Sequence, residues 1–263
     1  MSYDFRGRVV LVTGASSGIG RATAQAFARA GASVALTSRN LEQLEAIAAH
    51  LRPAESKIAA YRMDVTDRDE VVATMQKAAN DFGQIDILVN NAGIGHCLRF
   101  EEIAWEDMRR IVDTNLLGVM HCIRAVIPLM RAKGGGQIVN ISSTVGHKGV
   151  PMMSIYCATK FAVRGLTESL RMELRKDHIE LIGISPGTTD TDFFNRAVTN
   201  GKGWWLKSPW KTSPDTVAQQ ILRACFRHKR EVVLTPEGRA MVILNKIAPR
   251  FVDFMTMKLS ARE

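Results

Sequence analysis

Tyr156 and Lys160 stand four apart in Tyr-Cys-Ala-Thr-Lys, and a serine pair, Ser142-Ser143, ends thirteen residues before the tyrosine. These side chains can move a proton. A free phenol ionises near ~10 and is a poor acid or base at neutral pH. A lysine at i+4 on a helix lies on the same face one turn along, close enough to favour the phenolate. A phenol tuned in this way can give a proton to a carbonyl oxygen or take one from an alcohol, as carbonyl reduction and alcohol oxidation require. Tyr-x-x-x-Lys also occurs on ordinary helix surfaces, so the pair alone does not decide the chemistry.

The elements that must position these groups are legible as a pattern. Short apolar runs at 9–13, 33–37, 58–62, 85–89, 137–141, 180–184 and 232–234 alternate with amphipathic segments near 18–30, 41–50, 67–82, 101–132, 155–176 and 215–228. Such alternation predicts β-α-β units and a parallel sheet. With 263 residues, 46% of them apolar and 23% charged, the chain can form a sizeable core. It is expected to be one doubly wound domain over 1–263, with an irregular loop at 188–214 and a basic amphipathic extension at 236–263. The N-terminus lacks a signal-peptide pattern. No apolar run approaches the ~20 residues that span a bilayer. The four cysteines are scattered and predict reduced thiols, no metal set and a cytoplasmic setting.

The turn Thr13-Gly-Ala-Ser-Ser-Gly-Ile-Gly20 follows the first strand and opens the first helix. Gly14, Ser16, Ser17, Gly18, Ile19 and Gly20 would bring bare backbone to a pyrophosphate at the positive end of that helix. The second strand runs into Ser38-Arg39, and no carboxylate occurs between Asp4 and Glu42. An arginine at this place accommodates a ribose 2′-phosphate, whereas an acidic residue would hold a 2′-hydroxyl. The expected cofactor is therefore NADP(H), held by Arg39 with Ser38, rather than NAD(H). Asp64-Val65 ends the third strand, where a carboxylate can accept from an adenine amino group. The alternative for Asp64 is capping the next helix, a role open equally to Thr66 or Asp67.

Taken together, these residues resemble the short-chain dehydrogenase/reductase family. The likeness runs to about residue 192 and is carried by the glycine turn at 13–20, Asn90-Asn91-Ala92-Gly93, Asn115, Ser143, Tyr156-x-x-x-Lys160 and Pro186-Gly187. It implies a seven-stranded sheet in the order 3-2-1-4-5-6-7 with helices on both faces, and hydride transfer between a nicotinamide and a carbonyl or alcohol. By motif position, Tyr156 is the general acid in reduction and the base in oxidation, and Lys160 lowers its pKa and binds the nicotinamide ribose. Ser143 holds the substrate oxygen, and Asn115 positions a water between Lys160 and solvent. The backbone of Asn91, Ala92 and Gly93 faces the cofactor, with Asn90 stabilising the sheet. After Pro186-Gly187 the family often has an apolar residue two before a threonine that binds the carboxamide; here Thr189 takes the apolar place and Thr191 the threonine's.

Substrate choice is expected to lie in 95–99, 144–154 and 192–212, the last bringing Phe193, Phe194, Trp204, Trp205, Leu206 and Trp210. Such a cluster can close over an apolar ketone or aldehyde, or form a subunit contact. His147 reads as a loop histidine on a solvated surface. Residues 195–263 hold 13 Lys+Arg against 5 Asp+Glu, while the whole chain is +9. That imbalance suits solubility, an acidic protein or a membrane surface, and without a nucleic-acid motif it does not point to nucleic acid. Leu244, Ile247, Ala248, Phe251 and Met255 recur at helical spacing, with Pro249 kinking the stretch or starting a new helix; such a segment can lie on an anionic membrane, cover a partner subunit or pack back on its own domain, and a subunit contact is the expectation. A homodimer or homotetramer is the expected assembly. Two alternatives accompany the carbonyl reductase: a 3-oxoacyl thioester reductase using an acyl-carrier-protein or CoA substrate, and a non-catalytic NADP(H)-sensing or scaffolding protein.

Overall fold

The computed structural model describes residues 3–51, 56–193, 197–200 and 211–260. Its strands are β1 (Val9–Thr13), β2 (Ser33–Ser38), β3 (Ile58–Arg62), β4 (Ile87–Asn90), β5 (His96–Cys97), β6 (Gly136–Ile141), β7 (Ile179–Ser185), β8 (Val198–Thr199) and β9 (Glu231–Val233). Seven of them form one parallel sheet in the order β3-β2-β1-β4-β6-β7-β9, and β5 pairs separately with β8. The expected order 3-2-1-4-5-6-7 differs only because these two-residue strands enter the numbering; the seven apolar runs occupy the expected sequence of places. The chain has an α/β, Rossmann-like fold.

The helices are α1 (Gly18–Arg29), α2 (Leu41–His50), α3 (Arg68–Phe82), α4 (Trp105–Val112), α5 (Gly118–Ala132), α6 (Ser154–Glu173), α7 (Pro214–Phe226), α8 (Pro236–Ile247) and α9 (Pro249–Ser260). Both sheet faces are covered, so the strands read as unbroken apolar runs rather than alternating ones. Val10 and Val12 of β1 pack with Phe27 of α1, Leu44 of α2 and Ile221 of α7, while Leu11 between them faces Met75 of α3, Val126 of α5 and Val163 of α6. Caps set the helix starts. Asn40 accepts from the Gln43 amide, and Asp67 accepts from the Asp69 and Glu70 amides, both at 3.0 Å. Asp67, not Asp64 or Thr66, thus caps α3.

The segment expected as one helix over 101–132 is α4 and α5 joined by a π-helical stretch, Asp113–Leu117, with a short 3₁₀ turn before it. By length and composition Trp105–Ala132 is apolar enough to cross a membrane. Ile111, Asn115, Cys122, Val126 and Met130 along it are fully buried in the protein, while Trp105, Leu117 and Met120 are exposed. The loop 188–214 is partly ordered by pairing. Thr189 bridges Thr212 in parallel, and the Val198 amide donates to Gly95 O at 3.0 Å. Pro249 begins a second C-terminal helix.

One buried polar chain ties the sheet centre to α6. Asn90 Nδ2 donates to Asn140 Oδ1 at 2.8 Å, and Asn140 Nδ2 donates to Thr167 Oγ1 at 2.8 Å. Asn90 therefore joins adjacent strands at the same level of the sheet. Replacing Asn140 with alanine strands donors and acceptors in a dry place, a loss of about 1–3 kcal/mol. Urea unfolding of Asn140→Ala is expected to show a deficit in that range; a variant as stable as the parent would remove the chain from the structure's energetics.

Candidate active site

The carboxyl ends of β1, β4, β6 and β7 converge on one edge, and the residues singled out from sequence gather there. At the end of β1, Gly14 has φ +65°, and a Cβ on it would lie 2.9 Å from Ala92 Cα. A Cβ on Gly20 would lie 2.3 Å from Gly14 O. Only glycine fits this turn. The Thr13 hydroxyl accepts from the Asn91 and Ala92 amides, both at 3.0 Å, and Asn91 Nδ2 donates to Thr13 O at 2.9 Å. The Asn91 side chain is therefore spent on shaping the turn, and Thr13 is a positioning residue that the motif did not single out.

Ser16, Ser17, Gly18 and Ile19 follow at the opening of α1. The first turn carries no acidic residue, so no carboxylate within it repels an anion at the helix's positive end. This donor set fits a pyrophosphate. Arg39 is exposed just past β2, next to Ser38, whose hydroxyl bonds to Asn40. Asp64 Oδ1 accepts from the Thr66 amide and hydroxyl at 2.9 and 2.8 Å, and half-buried Asp64 ends the third strand beside buried Val65.

Two reciprocal hydrogen bonds fasten α6 to the end of β6. Lys160 Nζ donates to Ile141 O at 2.8 Å, and Ser142 Oγ donates to Lys160 O at 2.9 Å. This clamp sets Ser143, Tyr156 and Lys160 beside one another. The Ser143 hydroxyl donates to Pro186 O at 3.5 Å and accepts from the Val145 amide at 3.4 Å, and it lies close enough to the Tyr156 hydroxyl to favour its ionised form. The Lys160 ammonium lies 5.5 Å from the Tyr156 ring centroid. Burial raises the Tyr156 pKa, partly offset by the nearby Ser143 hydroxyl, and burial holds the Lys160 ammonium down to about 8. Burial thus outweighs the expected lowering of the phenol by its lysine, and Lys160 Nζ is turned to Ile141 O.

Asn115 sits in the π-helical stretch, fully buried. Its Oδ1 accepts from the Ile94 amide at 2.8 Å, and its Nδ2 donates to Ile94 O at 2.9 Å and to Thr159 Oγ1 at 3.4 Å. The side chain pins the strand leaving Gly93 against α6, so any contact with water belongs to the backbone that the π-turn frees. A Cβ on Gly93 would lie 3.1 Å from Asn115 Oδ1.

Across the site, Pro186 O accepts from the Thr144 amide at 2.9 Å. Thr189 is buried, and its hydroxyl donates to Gly187 O at 3.2 Å. Thr191 overhangs the glycine turn: a Cβ on Gly18 would be 3.2 Å from Thr191 Cγ2. The Phe193 ring lies 5.9 Å from that of Tyr156 and packs with Cys97, Met153 and Cys157. Phe194, Trp204, Trp205, Leu206 and Trp210 lie outside the described residues. Met152, beside the tyrosine, has φ +64°, a left-handed backbone that a non-glycine residue adopts only under tertiary constraint.

His147 is not a solvated loop residue. Its side chain is 5% exposed, with Nε2 3.1 Å from Ser185 Oγ and 3.6 Å from Glu231 Oε1. Burial lowers its pKa, helped by Arg164 and Lys246 and opposed by Glu231. Polar character misled the sequence reading, because the burying elements, β7 and β9, are distant in the chain.

A short chain dehydrogenase model matches residues 8–201. The chain is 37% identical over 185 residues to a 3-oxoacyl-[acyl-carrier-protein] reductase of Thermotoga maritima, covering 70% of this chain and 75% of that one. Among solved structures it resembles a short chain dehydrogenase/reductase of Burkholderia phymatum in complex with NAD, with a TM-score of 0.86 and 27% identity over 95% of this chain and 96% of that one. It also resembles an alcohol dehydrogenase of Thermococcus sibiricus complexed with 5-hydroxy-NADP, with a TM-score of 0.77 and 30% identity over 86% of this chain and 95% of that one. With the glycine turn, the Ser143–Tyr156–Lys160 group and the Rossmann-like sheet in one place, the chain belongs to the short-chain dehydrogenase family of oxidoreductases.

Proposed function

We propose that this protein is an NADP(H)-dependent oxidoreductase acting on a hydrophobic ketone or aldehyde, or on the matching alcohol. The observation that carries the reading is the meeting of Ser143, Tyr156 and Lys160 on the edge that also holds the glycine turn. A bound nicotinamide supplies hydride to the carbonyl carbon, or takes it back in oxidation. The Ser143 and Tyr156 hydroxyls, which stand near each other, hold the substrate oxygen between them. Tyr156 is kept protonated by burial and gives its proton to that oxygen as negative charge develops there. Lys160, charged below about pH 8, stands beside the ring to stabilise the phenolate left behind. Phe193, Met153 and Cys97 supply an apolar wall next to Tyr156, which suits an apolar substrate.

Exposed Arg39, in a stretch with no carboxylate between Asp4 and Glu42, supports a 2′-phosphate. The likeness to the Thermotoga maritima reductase, together with the basic C-terminal quarter, favours a second reading, a 3-oxoacyl thioester reductase. For assembly we propose a homodimer or homotetramer: Leu117 and Met120 at the start of α5 and Phe161 and Met172 on α6 leave apolar side chains exposed, as a subunit contact would need.

NADPH oxidation measured over a panel of ketones, aldehydes and acetoacetyl thioesters tests both readings. Tyr156→Phe is expected to lower kcat roughly 10²- to 10⁴-fold with NADPH affinity little changed. Cofactor binding without turnover on any class would defeat the enzyme reading. Arg39→Ala should weaken NADPH binding about tenfold or more while leaving NADH binding unchanged, since a charge-assisted hydrogen bond to phosphate contributes about 1.5–3 kcal/mol. A parent protein that prefers NADH would sink the cofactor assignment.

Lys160 carries a pH prediction. Its pKa is about 8 in the fold against 10.5 as the ordinary value, so between those values the unfolded chain binds more protons and stability rises with pH. The burial penalty is complete below about pH 8 and vanishes as the pH climbs through 10.5. Tyr156, raised in the fold, opposes this only above ~10. Between about pH 8 and about pH 10 the parent should gain roughly 2 kcal/mol relative to Lys160→Met in urea unfolding. Parallel pH profiles for the two proteins would show that the lysine carries no such penalty.

A further inference from the structure

Helices α8 and α9 lie beyond residue 201, where the family match ends. They leave large apolar side chains in solvent: Ile243, Ile247, Phe251, Phe254, Met255 and Met257, with Ile247 77% exposed. Solvated helices normally turn such residues inward. Here the inward side is already made by other residues. Gly238 packs on Thr144, Asn245 Nδ2 donates to His147 O at 3.4 Å, Lys148 pairs with Asp253, and Val252 is buried. The apolar side is therefore a second face, left over after the helices have docked.

We propose that this second face docks on an anionic lipid bilayer. Charge selects the occupant. Arg239, Lys246, Arg250 and Lys258 are spread over the two helices, against Glu237 and Asp253, and Asp253 is already paired with Lys148. The surrounding region, 195–263, carries 13 basic and 5 acidic residues. A second copy meeting this face across a two-fold axis would set the same cations against one another. An anionic lipid surface neutralises them while it takes up the aromatic and aliphatic side chains. Each twelve-residue helix spans about 18 Å, and the pair can lie in the plane of the headgroups with its lysine and arginine stems reaching outward.

The placement has a consequence for access. The helices rest on Thr144, His147 and Lys148, the segment that leaves Ser143, so a docked protein holds that side of the site near the lipid. An apolar carbonyl compound dissolved in the bilayer would then have a short path to Tyr156. The docking itself does not rest on the oxidoreductase reading, because it is measured on the protein without substrate.

Sedimentation of the full chain with vesicles tests it. Vesicles of equal parts phosphatidylglycerol and phosphatidylcholine should carry the protein down, and vesicles of phosphatidylcholine alone should carry much less, with binding reduced by added salt. Lys246→Glu with Arg250→Glu should cut partition at least tenfold, at roughly fivefold for each cation removed. Ile247→Glu with Phe254→Glu should also abolish it, and both variants change exposed positions, so their unfolding curves should match the parent's. Failure of the parent to bind anionic vesicles, equal binding to neutral ones, or undiminished binding by the folded charge-reversed variant would overturn the proposal. So would an apolar-face variant that turns an oligomer into a monomer in sedimentation velocity, since a second copy would then cover the face.

Discussion

The site depends on a buried ammonium. Lys160 is drawn into a dry pocket between β6 and α6, where its hydrogen bond to Ile141 O and the return bond from Ser142 Oγ to Lys160 O lock helix to strand. Burying this charge is costly, and the pKa of about 8 is the measure of that cost. The clamp fixes the register of α6 on the sheet, and with it the place of Tyr156 one turn earlier and of Ser143 two residues past the strand. A neutral side chain at 160 would relieve the cost and lose both the anchor and the charge beside the phenol. Stability is given up where the proton must be handled.

The opposite side of the cleft is held by neutral groups. Thr13 and Asn91 knit the ends of β1 and β4 together, and the Asn90–Asn140–Thr167 chain runs beneath them. Buried chains of this kind favour one arrangement, because a slip leaves the Asn90 and Asn140 donors unmet. The glycine turn therefore rests on a rigid base, and an anion at the α1 terminus would meet preset amides rather than a loop that has to close.

Features carried by local pattern were legible in the sequence. The apolar runs marked the seven sheet strands, since a strand covered on both faces must be apolar throughout. The glycine turn declared its conformation, because no other residue fits beside Ala92 and Gly14 O. Features created by distant pairing were not. The β5–β8 pair joins residues 96 and 198, and His147 is buried by Ser185 and Glu231. The π-turn at Asn115, capped by Gly118, interrupts an otherwise continuous helical pattern whose apolar spacing gives no sign of the break. The Thr189–Thr212 bridge likewise joins residues far apart in the chain. The Tyr156–Lys160 spacing correctly suggested proximity. It could not reveal that both groups would be desolvated, which reverses the direction of the phenol's shift.

The segment 144–148 links these parts. At one end the Thr144 amide is fixed to Pro186 O, and His147 reaches Ser185, so the sheet edge holds it. At the other, Asn245 holds His147 O and Asp253 holds Lys148, so α8 and α9 hold it too. Ser143 is the residue immediately before. Its hydroxyl accepts from the Val145 amide at 3.4 Å, within this doubly held stretch. Whatever steadies or shifts α8 and α9 therefore acts on the residue proposed to hold the substrate oxygen, through a chain of five residues with bonds at both ends. Helices α8 and α9, beyond the family match, are thereby bonded to the segment that follows Ser143.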